Sequence, residues 1–208
     1  MNPLDIPEIV IRRLPLYLRS LDQMEEEGKT VTSSQEMATR LRISATQIRK
    51  DLSYFGEFGK QGTGYDIHFL CTQLRLILQV SARWKVVLVG AGDLGRAVLH
   101  YSRFENGGFE IAAVLDKDKR KVGRQVGQLR VLDAANLRQV IAEQGIRIAI
   151  LAIPADEAQE VAKSLVDAGI KAILSYTPLG LDLPSHIQVH DIDPVLGLQS
   201  MTYYLNPD

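Results

Sequence analysis

The sequence predicts an α/β chain, with a Rossmann-type doubly wound parallel sheet preceded by a winged helix-turn-helix domain. Three observations carry that expectation. Two helix-start signals, at Ser33 and Ser44, stand one short turn apart and are followed by a glycine-punctuated hairpin. From Trp84 onward, short apolar runs alternate with amphipathic ones, the pattern of strands and helices in a parallel sheet. The first of those runs, "KVVLVG", leads directly into a glycine turn.

The elements follow in order. Residues 7–27 read as a long helix, because Ile9, Ile11, Leu14, Leu18, Leu21 and Met24 recur near helical spacing. Pro15 lies inside that pattern and predicts a kink or a late start. "TSSQEMATRL" opens on a capping box, with Ser33 facing the free amides and Glu36 reaching back. After the tight turn "RIS", Ser44 and Gln47 form a second box, and the next helix runs to about Phe55. Two short helices so joined make a helix-turn-helix. Gly56, Gly59, Gly62 and Gly64 then mark a hairpin that returns at Tyr65. Asp66 caps a helix over 67–80, and Arg83 lies in a linker. The second part reads strand 85–90, helix 93–105, strand 110–116, a weak strand near 129–132 and helix 133–144. Strand 147–154, helix 156–169 and strands 171–176 and 187–192 complete it. The tail 195–205 is a mostly apolar helix. The domains expected are 1–83, 84–193 and a C-terminal helix 194–208.

Composition narrows the function. Apolar residues make up 46% of 208, enough to bury cores. The net charge of −1 excludes a general polycation, so any affinity for nucleic acid must be local. With one cysteine there is neither a disulfide framework nor a cysteine-rich zinc site. The start "MNPLDIPEIVIRR" carries no signal-peptide pattern, and no apolar run is long enough to span a bilayer. A cytoplasmic protein without a membrane segment is expected.

The second helix of the pair carries a basic stripe. At ~100° per residue, Gln47, Lys50 and Tyr54 share one strip, flanked by Thr46, Arg49 and Ser53. Ile48, Leu52 and Phe55 take the opposite, core side. Arg and Lys reach guanine edges or phosphates, and Ser and Tyr bond phosphate oxygens, so this helix suits a major groove. Between Arg40 and Lys60 the cations are Arg40, Arg42, Arg49, Lys50 and Lys60, against Asp51 and Glu57, a local charge of +3. A solvated amphipathic helix would show a charge run too, but not with a second capped helix and a hairpin beside it. A two-fold dimer would read a palindrome.

Gly90-Ala91-Gly92-Asp93-Leu94-Gly95 fits G-x-G-x-x-G. Gly90 makes the tight turn, Gly92 admits a pyrophosphate and Gly95 lets the helix pack on the strand. Asp116 ends the next strand, 21 residues after Gly95. A carboxylate there accepts from ribose hydroxyls and repels a 2′-phosphate, favouring NAD over NADP. Lys117, Lys119, Arg120 and Lys121 pull the other way, since cations tolerate a phosphate. The same glycines could serve a turn that binds no nucleotide, or a related α/β domain that binds coenzyme A. His100, His186 and His190 lie in no acid–base motif, Trp84 reads as packing, and Cys71 reads as core.

With both parts read, the chain resembles the Rex family of bacterial redox-sensing repressors. "IRKDLSYFGEFGKQGTGY" stands where the family has "VRKDLSYFG" and a glycine-rich wing. "KVVLVGAGDLGRAV", "LDKDKRKVGR", "LAIPADEAQEVA", "AGIKAILSYTP" and "DIDPVLGL" follow in the family's order. The resemblance implies a homodimer that binds double-stranded palindromic operator DNA, is released by NADH and is permitted to bind by NAD⁺. It implies a C-terminal helix exchanged between subunits. It places Tyr101 near the nicotinamide, Asp193 across the dimer and Arg19 where it can pair with Asp193. The implied dinucleotide site also includes Lys117, Ala152, Ile153, Pro154 and Tyr176, and the implied DNA contacts extend to Lys60, Gln61 and Gly62. No catalytic residue and no metal are implied. The chain departs from the family in two places. Gln61 stands for the usual wing arginine, and Pro194 stands for an aromatic that closes over the nicotinamide. Two other functions compete: a small NAD-dependent oxidoreductase, for which no substrate domain follows, and a coenzyme A-binding or scaffold domain.

Overall fold

The computed structural model describes residues 6–60, 63–177 and 180–205. The chain divides into two compact units, one ending at Ser81 and one beginning at Ala82.

The first unit contains α1 (Glu8–Glu26), β1 (Val31–Thr32), α2 (Ser34–Leu41), α3 (Ala45–Ser53), β2 (Gly59–Lys60), β3 (Gly64–Asp66) and α4 (Ile67–Ile77). Its core is a stripe of α1, Leu14, Tyr17, Leu21 and Met24, packed on Met37, Ile48, Leu52, Leu70, Cys71 and Leu74. Ser33 caps α2 through the Glu36 amide, Ser44 caps α3 through the Gln47 amide, and Asp66 caps α4 through the Phe69 amide. Arg42 takes the left-handed conformation between α2 and α3 and turns the chain sharply. β3 pairs antiparallel with β2, and on its other edge with β1. The sequence carries no sign of β1, because two residues show no period.

Three expectations are corrected here. α1 begins at Glu8 and continues without a break across Pro15, which sits on the exposed side where water can serve the carbonyl it leaves free. α4 ends at Ile77, three residues early, and Gln79 turns left-handed just beyond it. The glutamate and glutamine of the two capping boxes reach elsewhere. Glu36 takes the Thr32 hydroxyl and pairs with Lys29, while the Gln47 amide donates to Asp51 at 2.7 Å.

The second unit contains β4 (Trp84–Val89), α5 (Asp93–Leu99), α6 (Arg103–Asn106), β5 (Phe109–Asp116), β6 (Gln125–Val126), β7 (Leu129–Asp133), α7 (Leu137–Gln144), β8 (Ile148–Leu151), α8 (Ala155–Asp167), β9 (Ala172–Ser175), β10 (Gln188–Asp191) and α9 (Pro194–Thr202). The sheet order is β10-β9-β8-β4-β5-β7-β6, parallel throughout except for the β6–β7 edge hairpin. Alternate residues of the central strands feed two cores. Val87, Val89, Leu115 and Leu151 pack under α7 and α8, while Val86, Leu88, Val114 and Ile150 pack with Val98 of α5 on the other face. The strand order steps outward in both directions from β4, so the crevice of a doubly wound sheet opens at the carboxyl ends of β4 and β8.

The helix expected over 93–105 is two helices. α5 stops at Leu99, where the Tyr101 amide closes a tighter turn on the Val98 carbonyl, and the His100 ring donates to the Arg96 carbonyl at 2.7 Å. α6 restarts at Arg103. Helix 133–144 likewise opens as a 3₁₀ turn, Ala134–Asn136, before α7. β6 was not foreseen. α9 is apolar yet exposed, with Leu196 at 63% and Leu198 at 61%.

Asp51 is fully buried in the first unit, held by the Arg13 guanidinium at 2.6 and 2.8 Å and by the Tyr17 hydroxyl at 2.6 Å. Burial raises its pKa, but hydrogen bonds from Arg13, Tyr17 and Gln47 outweigh that and hold it below the usual carboxylate value. Its stabilisation is therefore complete above the unfolded pKa of about 3.9 and is lost as the pH falls through the folded value. Asp51→Ala should lower the unfolding free energy of this unit by about 3 kcal/mol at pH 7. The difference from the parent should shrink below about pH 4, as measured by urea unfolding across a pH series.

Candidate functional site

α3 presents its charge as the hairpin follows. Thr46, Arg49, Lys50 and Ser53 are exposed, and Ile48 and Leu52 are buried. The open strip is therefore centred on Arg49 and Lys50, with Tyr54 half-buried at its end. Gln47, also expected on this strip, is half-buried, and its amide donates to Asp51, because a buried carboxylate is a stronger acceptor than water. Arg49 is held ready, with its two terminal nitrogens donating to Ser34 Oγ at 2.8 Å and Thr46 Oγ1 at 3.1 Å. The Ser53 hydroxyl donates back to the Lys50 carbonyl.

The local charge is redistributed. Asp51 is neutralised by Arg13, and Arg40 pairs with Glu27. Among the described side chains of that segment, Arg42, Arg49 and Lys50 remain, opposed by Glu57. Between α3 and the hairpin lies a groove of about 510 Å³ lined by Arg49, Leu52, Ser53, Glu57, Phe58, Gly59 and Tyr65. Lys60 pairs with Gly64 through its backbone. Gln61 and Gly62, also expected at the DNA, lie outside the described residues.

The glycine turn is built by close approach. A Cβ on Gly90, whose φ is +104°, would lie 2.2 Å from the Ala152 carbonyl oxygen, and one on Gly95 would lie 1.8 Å from the Gly90 carbonyl. A Cβ on Gly92 would meet nothing within 4 Å. That open side is where a pyrophosphate can approach the backbone. Leu94 is exposed, and the exposed Asp93 pairs with Arg96 at the start of α5. Ala152 and Ile153 close the other side of the turn, Pro154 starts α8, and the Thr177 hydroxyl donates to the Ile153 carbonyl at 3.5 Å.

Asp116 is 7% exposed. One oxygen accepts from the Ala91 amide at 2.8 Å and from Lys121 Nζ at 2.9 Å, and the other accepts from the Asp118 amide at 2.8 Å. Burial pushes its pKa up, yet those donors pull it lower still, so it is a carboxylate at neutral pH. The neighbouring cations are paired: Lys117 with Glu157, Lys119 with Asp133, Arg120 with Asp118 and Lys121 with Asp116. This carboxylate-for-every-cation arrangement disfavours a second phosphate at the ribose.

Tyr101 stands at the α5–α6 break, 54% exposed, edge-on to Phe104 at 5.8 Å. Burial raises the Tyr176 phenol pKa, and Tyr101 adds to the rise. Asp193 caps α9 through the Val195 amide, with Pro194 at the first helical position, where its missing N–H costs nothing. Arg19 is exposed on α1, in the other unit. The cluster that sequence reasoning missed is Arg13, Tyr17 and Asp51. The signal was present, since Asp51 falls between Ile48 and Leu52 on the apolar stripe. A second group, Asp22, Glu25 and Cys71, brings three ligand atoms within 4.8 Å, but Asp22 already pairs with Arg75 and Glu25 with His68. Burial pushes the Cys71 thiol up to about 12.

Residues 5–53 match the family model "Putative DNA-binding protein N-terminus", and residues 81–179 match "CoA binding domain". A redox-sensing transcriptional repressor Rex of Chloroflexus aggregans is 53% identical over 199 residues, covering 96% of this chain and 94% of that protein. Rex 1 of Thermotoga maritima is 42% identical over 199 residues, covering 95% of each. Among solved structures, RSP in complex with β-NAD⁺ and operator DNA superposes with a TM-score of 0.90 at 36% identity, covering 97% of this chain and 93% of that one. RSP in complex with β-NADH gives 0.88 at 34% identity, covering 97% and 95%.

The contact between Gly95 and Gly90 is backbone on backbone, so it has no soft partner to yield. Gly95→Ala should cost at least about 1–3 kcal/mol of overpacking strain. The melting transition of the second unit should fall while that of the first is unchanged, as resolved by scanning calorimetry.

Proposed function

The chain belongs to the Rex family of redox-sensing transcriptional repressors, and on that premise we propose that it acts as a homodimer on palindromic operator DNA, permitted to bind by NAD⁺ and released by NADH. It is a regulator and not an enzyme. The observation that carries the finer reading is that a repressor matched over 97% of this chain was solved holding both NAD⁺ and operator DNA. Among the described residues no helix is long and apolar enough to cross a membrane, and we place the protein in the cytoplasm with the DNA it binds.

In this reading Thr46, Arg49, Lys50, Ser53 and Tyr54 face the major groove, and Lys60, Gln61 and Gly62 of the wing meet the backbone beside it. Residues 1–83 form the DNA-binding domain and 84–193 the dinucleotide domain, with the adenosine ribose on Asp116 beside Lys117. The pyrophosphate lies over Gly90–Gly95, and the ring lies toward Ala152–Pro154, Tyr101 and Tyr176. Residues 194–208 form the exchanged C-terminal segment, and the exposed apolar residues between Val195 and Leu205 are covered by the second subunit, because burying such a face is favourable at about 25 cal/mol per Å².

NAD⁺ and NADH differ by one positive charge on the ring and by ring planarity. A ligand shifts an equilibrium only through its different affinity for the two states. A closed, water-poor pocket accepts the neutral ring more readily than the cation. NADH thus favours closure of the paired dinucleotide domains, and Tyr101, Asp193 and Arg19 relay that closure to the DNA-binding units. Pro194 is the first residue of the helix that Asp193 caps, and it cannot stack as an aromatic would.

Gel-shift binding to a Rex-type palindromic operator at fixed salt should be retained with NAD⁺ and abolished by NADH. Binding that ignores NADH would reject the sensor. Arg49→Ala and Lys50→Ala should each weaken operator binding by about 1–3 kcal/mol and leave NADH affinity unchanged. NADPH should bind at least about tenfold more weakly than NADH, a gap of about 1.4 kcal/mol, by nucleotide fluorescence titration.

A further inference from the structure

The buried carboxylate beneath the basic strip has no part in the functional reading so far. Asp51 directly follows Arg49 and Lys50, yet its side chain points inward and is fully buried. Oδ2 accepts from Arg13 Nε at 2.6 Å and from the Tyr17 hydroxyl at 2.6 Å. Oδ1 accepts from the second Arg13 nitrogen at 2.8 Å and from Gln47 Nε2 at 2.7 Å. Three of the four bonds come from α1, and Arg13 and Tyr17 stand one turn apart there, on one face.

α3 has nine residues. Its apolar contacts, Ile48 and Leu52, fix how deep it sits, but apolar packing is non-directional and resists rotation about the helix axis weakly. Charge-assisted hydrogen bonds are directional, and a bidentate guanidinium–carboxylate pair is more so. A rotation of ~20° would move a side-chain tip at the ~5–6 Å helix radius by roughly 2 Å. That exceeds the whole distance range in which a hydrogen bond to a base edge survives. General attraction to phosphate tolerates such a shift, because it depends on charge and not on register.

We propose that Arg13 and Tyr17 are positioning residues for operator recognition: by clamping Asp51 to α1 they set the rotation of α3, on which discrimination between base sequences depends. This rests on the reading of α3 as the recognition helix. α1 and α3 then move as one piece, because parting them would strand a carboxylate out of water. Any displacement delivered to α1, which also carries Arg19, reaches Arg49 and Lys50 without loss.

The test uses the full chain with Tyr17→Phe, which keeps shape and loses one bond, Arg13→Met, which loses the pair, and Arg13→Lys, which keeps charge and loses the fork. Dissociation constants are measured at one salt concentration on a Rex-type operator duplex and on the same duplex with scrambled half-sites. NADH titration and thermal melting accompany them. The operator-to-scrambled ratio should fall about tenfold in Tyr17→Phe, the value of one hydrogen bond to a charged group. It should fall further in Arg13→Met and be partly restored in Arg13→Lys, with scrambled-duplex affinity within about twofold of the parent. An unchanged ratio in Tyr17→Phe and Arg13→Met would overturn the proposal. So would a parallel loss on both duplexes that tracks the melting temperature, the pattern of a loosened fold. If the unmutated chain shows no preference for the operator, the recognition-helix reading itself falls, whatever the variants do, and the NADH titration still reports the second unit.

Discussion

A carboxylate taken out of water has to find donors inside the protein, and each unit of this chain is organised around one that does. Asp51 ties the basic helix to the long N-terminal helix, and Asp116 ties the end of β5 to the glycine turn through the Ala91 amide. Both stay ionised because hydrogen bonds outweigh the burial penalty. In both places the element that is held is one that the functional reading uses. The nucleic-acid unit needs a helix in a fixed orientation, and the dinucleotide unit needs a loop in a fixed shape. Hydrophobic packing supplies the bulk of stability in each, but it does not point side chains.

The second constraint is steric. β4 and α5 meet so closely that the backbone of Gly95 lies against the carbonyl of Gly90, and Gly90 lies against that of Ala152. The glycines therefore do two separate jobs. Gly90 and Gly95 close the sheet–helix junction, and Gly92 leaves the approach open. A redox-sensing repressor is assembled here from two structures that are each unremarkable alone. The second unit ends in α9, whose Val195, Leu196, Leu198 and Met201, with Leu205 just beyond it, are exposed among the described residues. Burying such a face is favourable, and that exposure is what supports the proposal of a second subunit.

Much of this was legible in the residues. Both helix caps of the helix-turn-helix, the cap at Asp66, the central parallel strands and the glycine turn follow from local chemistry that acts within four residues, and they stand where the sequence indicates them. Where the reading failed, a distant partner decided. Gln47 looked like the second half of a capping box until Asp51, answering Arg13 from 38 positions away, claimed its amide. The helix expected through 93–105 breaks where the Tyr101 amide turns back on the Val98 carbonyl, which no periodicity reports. β1 and β6 exist only because β3 and β7 offer them an edge.

By itself, then, the sequence determined the fold class, the order of elements, the two candidate binding elements and the family, because these rest on local propensity, on hydrophobic period and on ordered motifs. Tertiary structure decided which charges are available. It took Asp51 out of the surface count, paired Arg40 and all four cations around Asp116, and left Arg49 and Lys50 on an open face. A charge is written in one residue, but its availability depends on what folding brings within about 3 Å of it, and that distance is set by the whole chain.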